Sequence, residues 1–424
     1  MTAVHLRYPQ RMQTEFDAIV IGAGAAGMMC AATAGRRGRR VLLVDHAEKL
    51  AEKIRISGGG RCNFTNLGCK PDAFISRNPH FARSALSRYS QRDFIDLVER
   101  YGIGYHEKTL GQLFCDDSAE RIIDMLRREC DKGGVRWAMP AVVQQVERTD
   151  AGYVIATSQG AFRAASLVIA TGGLSIPKIG ASPLGYRIAE QFGLPVIAPK
   201  PALVPLAASP EWLAQFGELS GSSIDTVVSV AAPADAPKAK GRGAAHWPRF
   251  REASLITHRG LSGPAILQVS SYWQLAGGRG AIELDVLPEA GSEREVFDWL
   301  SMHRRAGQQV GPLLATRLPK RFAQSLAAAQ GWTLPLADLS NAALEAMATT
   351  LKSWRIQPSG TLGYAKAEVT LGGVDTDALS QQSMEVRNVP GLFFIGEVVD
   401  VTGWLGGYNF QWAWSSGHAA GESV

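Results

Sequence analysis

The chain has 424 residues, of which 46% are hydrophobic and 20% charged, with a formal net charge of +5. That balance excludes a disordered polyelectrolyte and a histone-like arm, while the mild excess of base leaves an anionic partner open. At about 150 residues per domain the length allows two or three domains, and the 45 glycines follow no period of three, which excludes collagen.

Residues 1–15 read as a loose extension without the apolar centre of a signal peptide. Phe16–Ile21 is a short apolar run rich in β-branched residues, as expected of a buried parallel strand. It leads into Gly22-Ala23-Gly24-Ala25-Ala26-Gly27, then an alanine-rich helical stretch from Met28 to near Arg37. A second apolar run, Val41–Val44, ends in Asp45, 23 positions after Gly22. This order of strand, glycine turn, helix, strand and acid suits a dinucleotide. The first glycine permits the turn, the second lets the pyrophosphate approach bare backbone, and the third lets helix and strand pack closely. The helix N-terminus offers unpaired N–H groups to the phosphates, and Asp45 can accept from ribose hydroxyls. The motif alone does not separate NAD from FAD.

Ile56–Asn66 reads ISGGGRCNFTN. Gly58, Gly59 and Gly60, followed by Arg61, Cys62 and Asn63, can pass close to a flat ring or a phosphate. Leu167–Gly173 reads LVIATGG, a strand ending in Thr171-Gly172-Gly173. From Pro195 the character changes. Short alternating stretches at Ala202–Leu206, Thr226–Val230 and Ala281–Val286 predict a small β domain, interrupted by a low-complexity loop at 231–247. His258 and the run Gly260-Leu261-Ser262-Gly263-Pro264-Ala265 stand out there, with Ser262 or Gly263 as a helix N-cap and Pro264 at the first helical position. Residues 292–356 show helical periodicity through Val296, Trp299 and Leu300, then Leu318 and Phe322, then Leu344, Met347 and Leu351. Within them, His303-Arg304-Arg305 and Arg317, Lys320 and Arg321 form a basic cluster, read either as solvated surface or as a contact for an anion such as RNA.

The chain closes with GLFFIG (Gly391–Gly396), then Glu397 and Asp400, then GWLGGYNFQ (Gly403–Gln411) and a helix from Trp412 to Gly421. An early βαβ unit with a late strand-glycine-acid-helix is the arrangement of FAD proteins. The expected fold is therefore α/β, a Rossmann-like FAD-binding domain of the glutathione-reductase-like type. The expected domains are 16–195 for its first part, 196–290 for an inserted β domain, 291–357 for a helical subdomain and 358–424 for its C-terminal part.

The matching pieces VIGAGAAGMMCA, ISGGGRCNFTN, ATGGLSIPKIG, THRGLSGPAIL and GLFFIGEVVDVTGWLGGYNFQWAWSSGHAAG resemble the BaiN/YhiN/RdsA family of FAD-dependent flavoproteins. The resemblance implies FAD held by Gly22, Gly24, Ala25, Ala26, Gly27 and Asp45, by Gly58 to Asn63, and by Val143. It extends this set to Thr171, Gly172 and Gly173, to Gly396, Glu397 and Asp400, and to Gly407, Tyr408, Asn409, Phe410 and Gln411. The chain departs from the family at Met384-Glu385-Val386-Arg387, Val401-Thr402-Gly403 and Leu113-Phe114-Cys115-Asp116, near the expected substrate territory.

The five cysteines include no CxxC or CxxxxC pair, so disulfide-reductase chemistry and a zinc site are not expected, and no metal motif is present. An odd, sparse cysteine count and no apolar run long enough to cross a membrane point to a reduced, cytoplasmic compartment. No second GxGxxG is present, so any NAD(P)H would bind as a transient electron donor, or electrons would arrive otherwise. The leading expectation is an FAD-dependent oxidoreductase that reduces an activated C=C bond, with a side chain supplying the proton. The resemblance suggests uridine of ribosomal RNA, giving dihydrouridine, or an unsaturated small molecule as substrate. Cys62, Cys115, His258 and Tyr408 are the candidate proton donors. Two alternatives stay open: an RNA-binding flavoprotein with mainly structural FAD, and a flavin oxidase or monooxygenase.

Overall fold

The computed structural model describes residues 15–231, 247–304 and 307–424. The expected extension, most of the 231–247 loop and Arg305 lie outside the described residues. Two compact units form: one runs to Pro199 and resumes over Val369–Val424, and the other is Lys200–Glu368.

In the first unit the strand Glu15–Ile21 lies between two parallel neighbours, Val41–Val44 and Gly160–Ile169. Arg136–Ala138 extends the sheet beyond Val41–Val44, also in parallel. On the other side, Leu392–Phe394 pairs in parallel with Leu167–Ile169. The first half of Gly160–Ile169 instead takes up an antiparallel meander with Gly152–Thr157 and Val143–Thr149. Ala18, Ile19 and Val20 are fully buried, which suits a central parallel strand covered on both faces.

The helix that follows, Ala25–Arg36, is buried from Ala26 through Gly35 on every side. Helices buried all round need small residues where neighbours approach. A β-carbon on Gly35 would meet Gly133 O at 2.4 Å, and one on Gly417 would meet Ala26 O at 2.5 Å. The C-terminal helix, Tyr408–Gly421, therefore lies directly against the first helix. It begins four residues earlier than the sequence suggested. Gly407 is the reason: at φ +97° it turns the chain into the helix, and a β-carbon there would meet the Thr65 carbonyl carbon at 2.4 Å.

The second unit holds a seven-stranded antiparallel sheet. Its strands run in space as Trp354–Ile356, Ile282–Asp285, Ser223–Val230, Phe250–Thr257, Gly260–Ser262, Leu206–Ala207 and Gly360–Thr361. The helices of the 292–356 stretch are spliced between the paired strands Ile282–Asp285 and Trp354–Ile356, so β and helical portions share this unit. Val296, Leu300, Phe322, Leu344, Met347 and Leu351 are all buried, as their spacing requires. Pro264 opens the helix Pro264–Leu275, with Gly263 rather than Ser262 as its N-cap; Ser262 is the last residue of a strand. No helix among the described residues is long and apolar enough to cross a membrane.

Candidate cofactor site

The glycine loop of the first unit separates two tasks. A β-carbon on Gly22, at φ +111°, would meet Ala170 O at 2.3 Å, and one on Gly27 would meet Gly22 O at 1.8 Å. Both positions are closed by the protein itself. A β-carbon on Gly24 would meet nothing within 4 Å. The loop therefore packs through its first and third glycines and leaves its second bare, beside the N-terminus of the Ala25–Arg36 helix. Asp45 braces the loop: Ala23 N donates to its Oδ2 at 2.6 Å and Ala47 N to its Oδ1 at 2.8 Å. A carboxylate has about four acceptor positions, so capacity remains for a sugar hydroxyl.

The other expected segments converge on this loop. A β-carbon on Gly396 would lie 2.9 Å from Ala26 Cβ, so the late strand-glycine turn abuts the early one. Gly396 N donates to Ser416 Oγ at 3.0 Å, and Trp412 Nε1 donates to Gly396 O at 3.0 Å, which ties the turn to the C-terminal helix. Thr171 Oγ1 is buried and has no hydrogen-bond partner among the described residues. That hydroxyl points toward Gly185, whose β-carbon would meet it at 2.2 Å, whereas the backbone at Gly24 and Gly172 is bare, open to a group that must approach closely. On these observations the residues fit an elongated dinucleotide.

Glu397 is more engaged than the sequence indicated. Its Oε2 accepts from Lys53 Nζ at 2.5 Å, and its Oε1 accepts from Thr370 N at 2.9 Å and Ser175 Oγ at 3.2 Å. Lys53 Nζ also donates to Ser175 Oγ at 2.6 Å. Lys53 stands on the short helix Glu52–Ile56 that runs directly into Ser57-Gly58-Gly59-Gly60. The network thus fastens the triple-glycine turn to the Thr171–Gly173 and Gly396 turns. Sequence reasoning passed over Lys53, Ser175 and Thr370; the one available signal was a lysine five positions ahead of Gly58.

Several expected cofactor residues are spent inside the protein. Gln411 is fully buried: its Oε1 accepts from Thr65 Oγ1 at 2.7 Å, and its Nε2 donates to Tyr89 O and Ser415 Oγ, both at 3.0 Å. Asn409 staples its own loop, donating to Gly403 O and Trp404 O and accepting from Gly403 N. Phe410 stacks on Trp414. Asp400 is buried and accepts from Arg77 N at 2.8 Å; burial pushes its carboxyl above the usual range, Arg77 opposes, and the charge of Asp375 adds to the push. Arg61 is exposed, and Asn63 lies opposite Phe114 in a strand pair. Val143 opens the edge strand Val143–Thr149. The segment just before it reaches Asp45, through Ala141 N donating to Asp45 O at 2.6 Å.

The four candidate proton donors separate. Cys62 is fully buried, and burial pushes its thiol well up, with an interaction with Ser57 opposing only in part. Its backbone is left-handed, φ +50°, a region a non-glycine residue rarely adopts. Cys115 is also buried, its thiol pushed up to about 12 by burial and by nearby Asp117 and Asp116. Cys115 N donates to Arg61 O at 2.9 Å, so the two cysteine segments adjoin. Tyr408 is the first residue of the C-terminal helix, packed edge-on against Phe74 and Trp404. His258 is exposed on the tight turn between the strands Phe250–Thr257 and Gly260–Ser262 of the second unit.

Fold and site together define an enzyme of the oxidoreductase class built on a Rossmann-like FAD-binding domain. The chain belongs to the family described as HI0933-like protein Rossmann domain, which it matches over residues 16–423. It is 50% identical over 410 residues to the ribosomal RNA dihydrouridine synthase of Escherichia coli (strain K12), a match covering 96% of this chain and 98% of that protein. The ribosomal RNA dihydrouridine synthase of Haemophilus influenzae is 44% identical over 412 residues, with the same coverage of both chains. The 3-dehydro-bile acid delta(4,6)-reductase of Clostridium scindens is 26% identical over 415 residues, 96% of this chain and 98% of that one.

Proposed function

We propose that this protein is a cytoplasmic FAD-dependent reductase that converts a uridine of ribosomal RNA to dihydrouridine, with NAD(P)H as a transient electron donor. The carrying observation is the 50% identity to the Escherichia coli ribosomal RNA dihydrouridine synthase across nearly the full length of both chains. In this reading the Gly22–Gly27 loop and Asp45 hold the ADP half, while Thr171-Gly172-Gly173, Gly396 and the Gly58–Gly60 turn line the flavin half. Gln411 and Asn409 act through these, by fixing the start of the C-terminal helix.

Bound FAD, once reduced, would supply the hydride for saturating a C=C bond. The chain must supply a proton to the neighbouring carbon. We assign that proton to Cys62 Sγ. Burial keeps the thiol protonated through neutral pH. The backbone holds this side chain in a left-handed conformation two residues after the last of three glycines, where a glycine would be less strained. Residues held in this region cluster at functional sites.

The test is nucleoside mass spectrometry of ribosomal RNA from cells lacking the protein. The reading requires that a uridine heavier by one hydrogen molecule disappears and returns with the wild-type chain. An unchanged dihydrouridine content would overturn it. Reduction of a bile-acid-type enone by the purified protein, with ribosomal RNA untouched, would move the substrate to the small-molecule class.

A further inference from the structure

One feature of the second unit is not used by flavin chemistry. Between Asp298 and Asp338 the sequence contains five Lys or Arg residues and no acid. Arg317 lays its guanidinium over the Trp299 ring, 4.3 Å from the centroid. His303 is next to the same indole, its ring 5.9 Å away and its Nδ1 2.8 Å from Trp299 O. Lys320 and Arg321 follow within one turn of chain, and Arg317, Lys320 and Arg321 are all exposed. None of these three cations forms an ion pair among the described residues; Arg321 Nη2 donates to the Glu218 backbone carbonyl at 2.8 Å, which leaves its other N–H groups for an anion. Arg251, Arg294 and Arg355 of the same unit are, by contrast, each paired with a carboxylate.

The placement is also unfavourable for the fold taken alone. Lys320 and Arg321 occupy the first turn of the helix Lys320–Ala329, which has no acidic residue there and no side-chain cap. Cations at a helix N-terminus oppose the helix dipole. Positive side chains kept where the helix disfavours them, three and four positions along the chain from an arginine already supported by an indole, suit an anionic polymer with flat bases. Lysine and arginine neutralise phosphates, and a guanidinium face stacks on an unpaired base.

We propose that this face, formed by His303, Arg317, Lys320 and Arg321, docks the ribosomal RNA substrate, with phosphates on Lys320 and Arg321 and a splayed base on the Arg317 guanidinium. The inference rests on the substrate class proposed above and names where that substrate is gripped. It makes the affinity for RNA salt-dependent and independent of the flavin.

The experiment uses the full-length holoprotein and an unmodified large-subunit ribosomal RNA transcript, with binding measured across a salt series. The variants are Lys320→Glu and the triple change Arg317→Glu, Lys320→Glu, Arg321→Glu. The triple variant is expected to bind about tenfold more weakly or worse, and its log affinity against log salt should flatten by about 2. Lys320→Glu should weaken RNA binding while leaving the melting temperature equal or higher, because an acid is favoured at that helix end. A merely structural lysine would move the two readouts together. Wild-type affinity and salt slope in a folded triple variant would overturn the docking surface. So would RNA binding that is absent from the wild-type protein. Loss of binding in the triple variant of a protein that reduces no uridine would uphold the surface and instead remove the proposed substrate chemistry.

Discussion

At the scale of single residues, two side chains give sharp expectations. His418 stacks on Tyr89 with ring centroids 4.7 Å apart, and its Nδ1 is buried without a partner among the described residues. Burial lowers its pKa, Arg36 and Arg88 add to the lowering, and Glu422 and Asp93 oppose it. The folded state therefore prefers the neutral ring. Its contribution is fully present above the ordinary imidazole pKa, near 6.5, and is lost as pH falls below that value, because the unfolded chain takes up the proton first. Melting temperature should drop more steeply below about pH 6.5 in the wild type than in His418→Phe, which keeps the stack without the titration. Parallel profiles would show that His418 carries no such linkage. For Cys62→Ala, FAD content should be unchanged, while single-turnover oxidation of the reduced enzyme by substrate should slow on the order of 100-fold or more. An unaltered rate would remove the thiol from the chemistry. The position of Asp45 at the end of its strand, within reach of the glycine loop at Ala23, was legible from its spacing after Gly22. Gln411 and Asn409 were not, because an amide in a motif reads the same whether it faces a ligand or, as here, saturates Thr65, Tyr89 and Gly403.

At the scale of elements, the strand-glycine-helix unit makes a prediction through contrast. Gly27→Ala drives a β-carbon to within 1.8 Å of Gly22 O, so the helix must shift off the strand. Overpacking of this kind costs about 1–3 kcal/mol, and flavin would be lost along with stability. Gly24→Ala meets open space and sits at the helix N-cap, where alanine costs about 1 kcal/mol or less. It should fold normally yet bind FAD far more weakly by fluorescence titration. Equal affinity in a folded Gly24→Ala protein would place the pyrophosphate elsewhere. The βαβ unit was legible because local pattern and packing agree there. The strand Phe250–Thr257 was missed, because its partly polar run (FREASLIT) gains its place from flanking strands distant in sequence. The C-terminal helix was found but begun late. Its start depends on the left-handed Gly407 against Thr65, a contact between residues far apart in the chain.

At the scale of the whole molecule, two units divide the labour. One gathers turns from both ends of the sequence: Gly22–Gly27, Ser57–Gly60, Thr171–Gly173 and Gly396–Glu397. The Lys53–Glu397–Ser175–Thr370 network holds three of these together. Such convergence follows from the parallel sheet, in which strands distant in sequence end side by side and leave their following turns at one edge. The other unit carries the exposed cations of the proposed RNA face on helices spliced into an antiparallel sheet. The most direct test of the central claim is the flavin content of the freshly purified wild-type chain, read from its visible absorption and from the coenzyme released on denaturation. The account predicts close to one FAD per chain. A colourless protein that also fails to take up added FAD would contradict it.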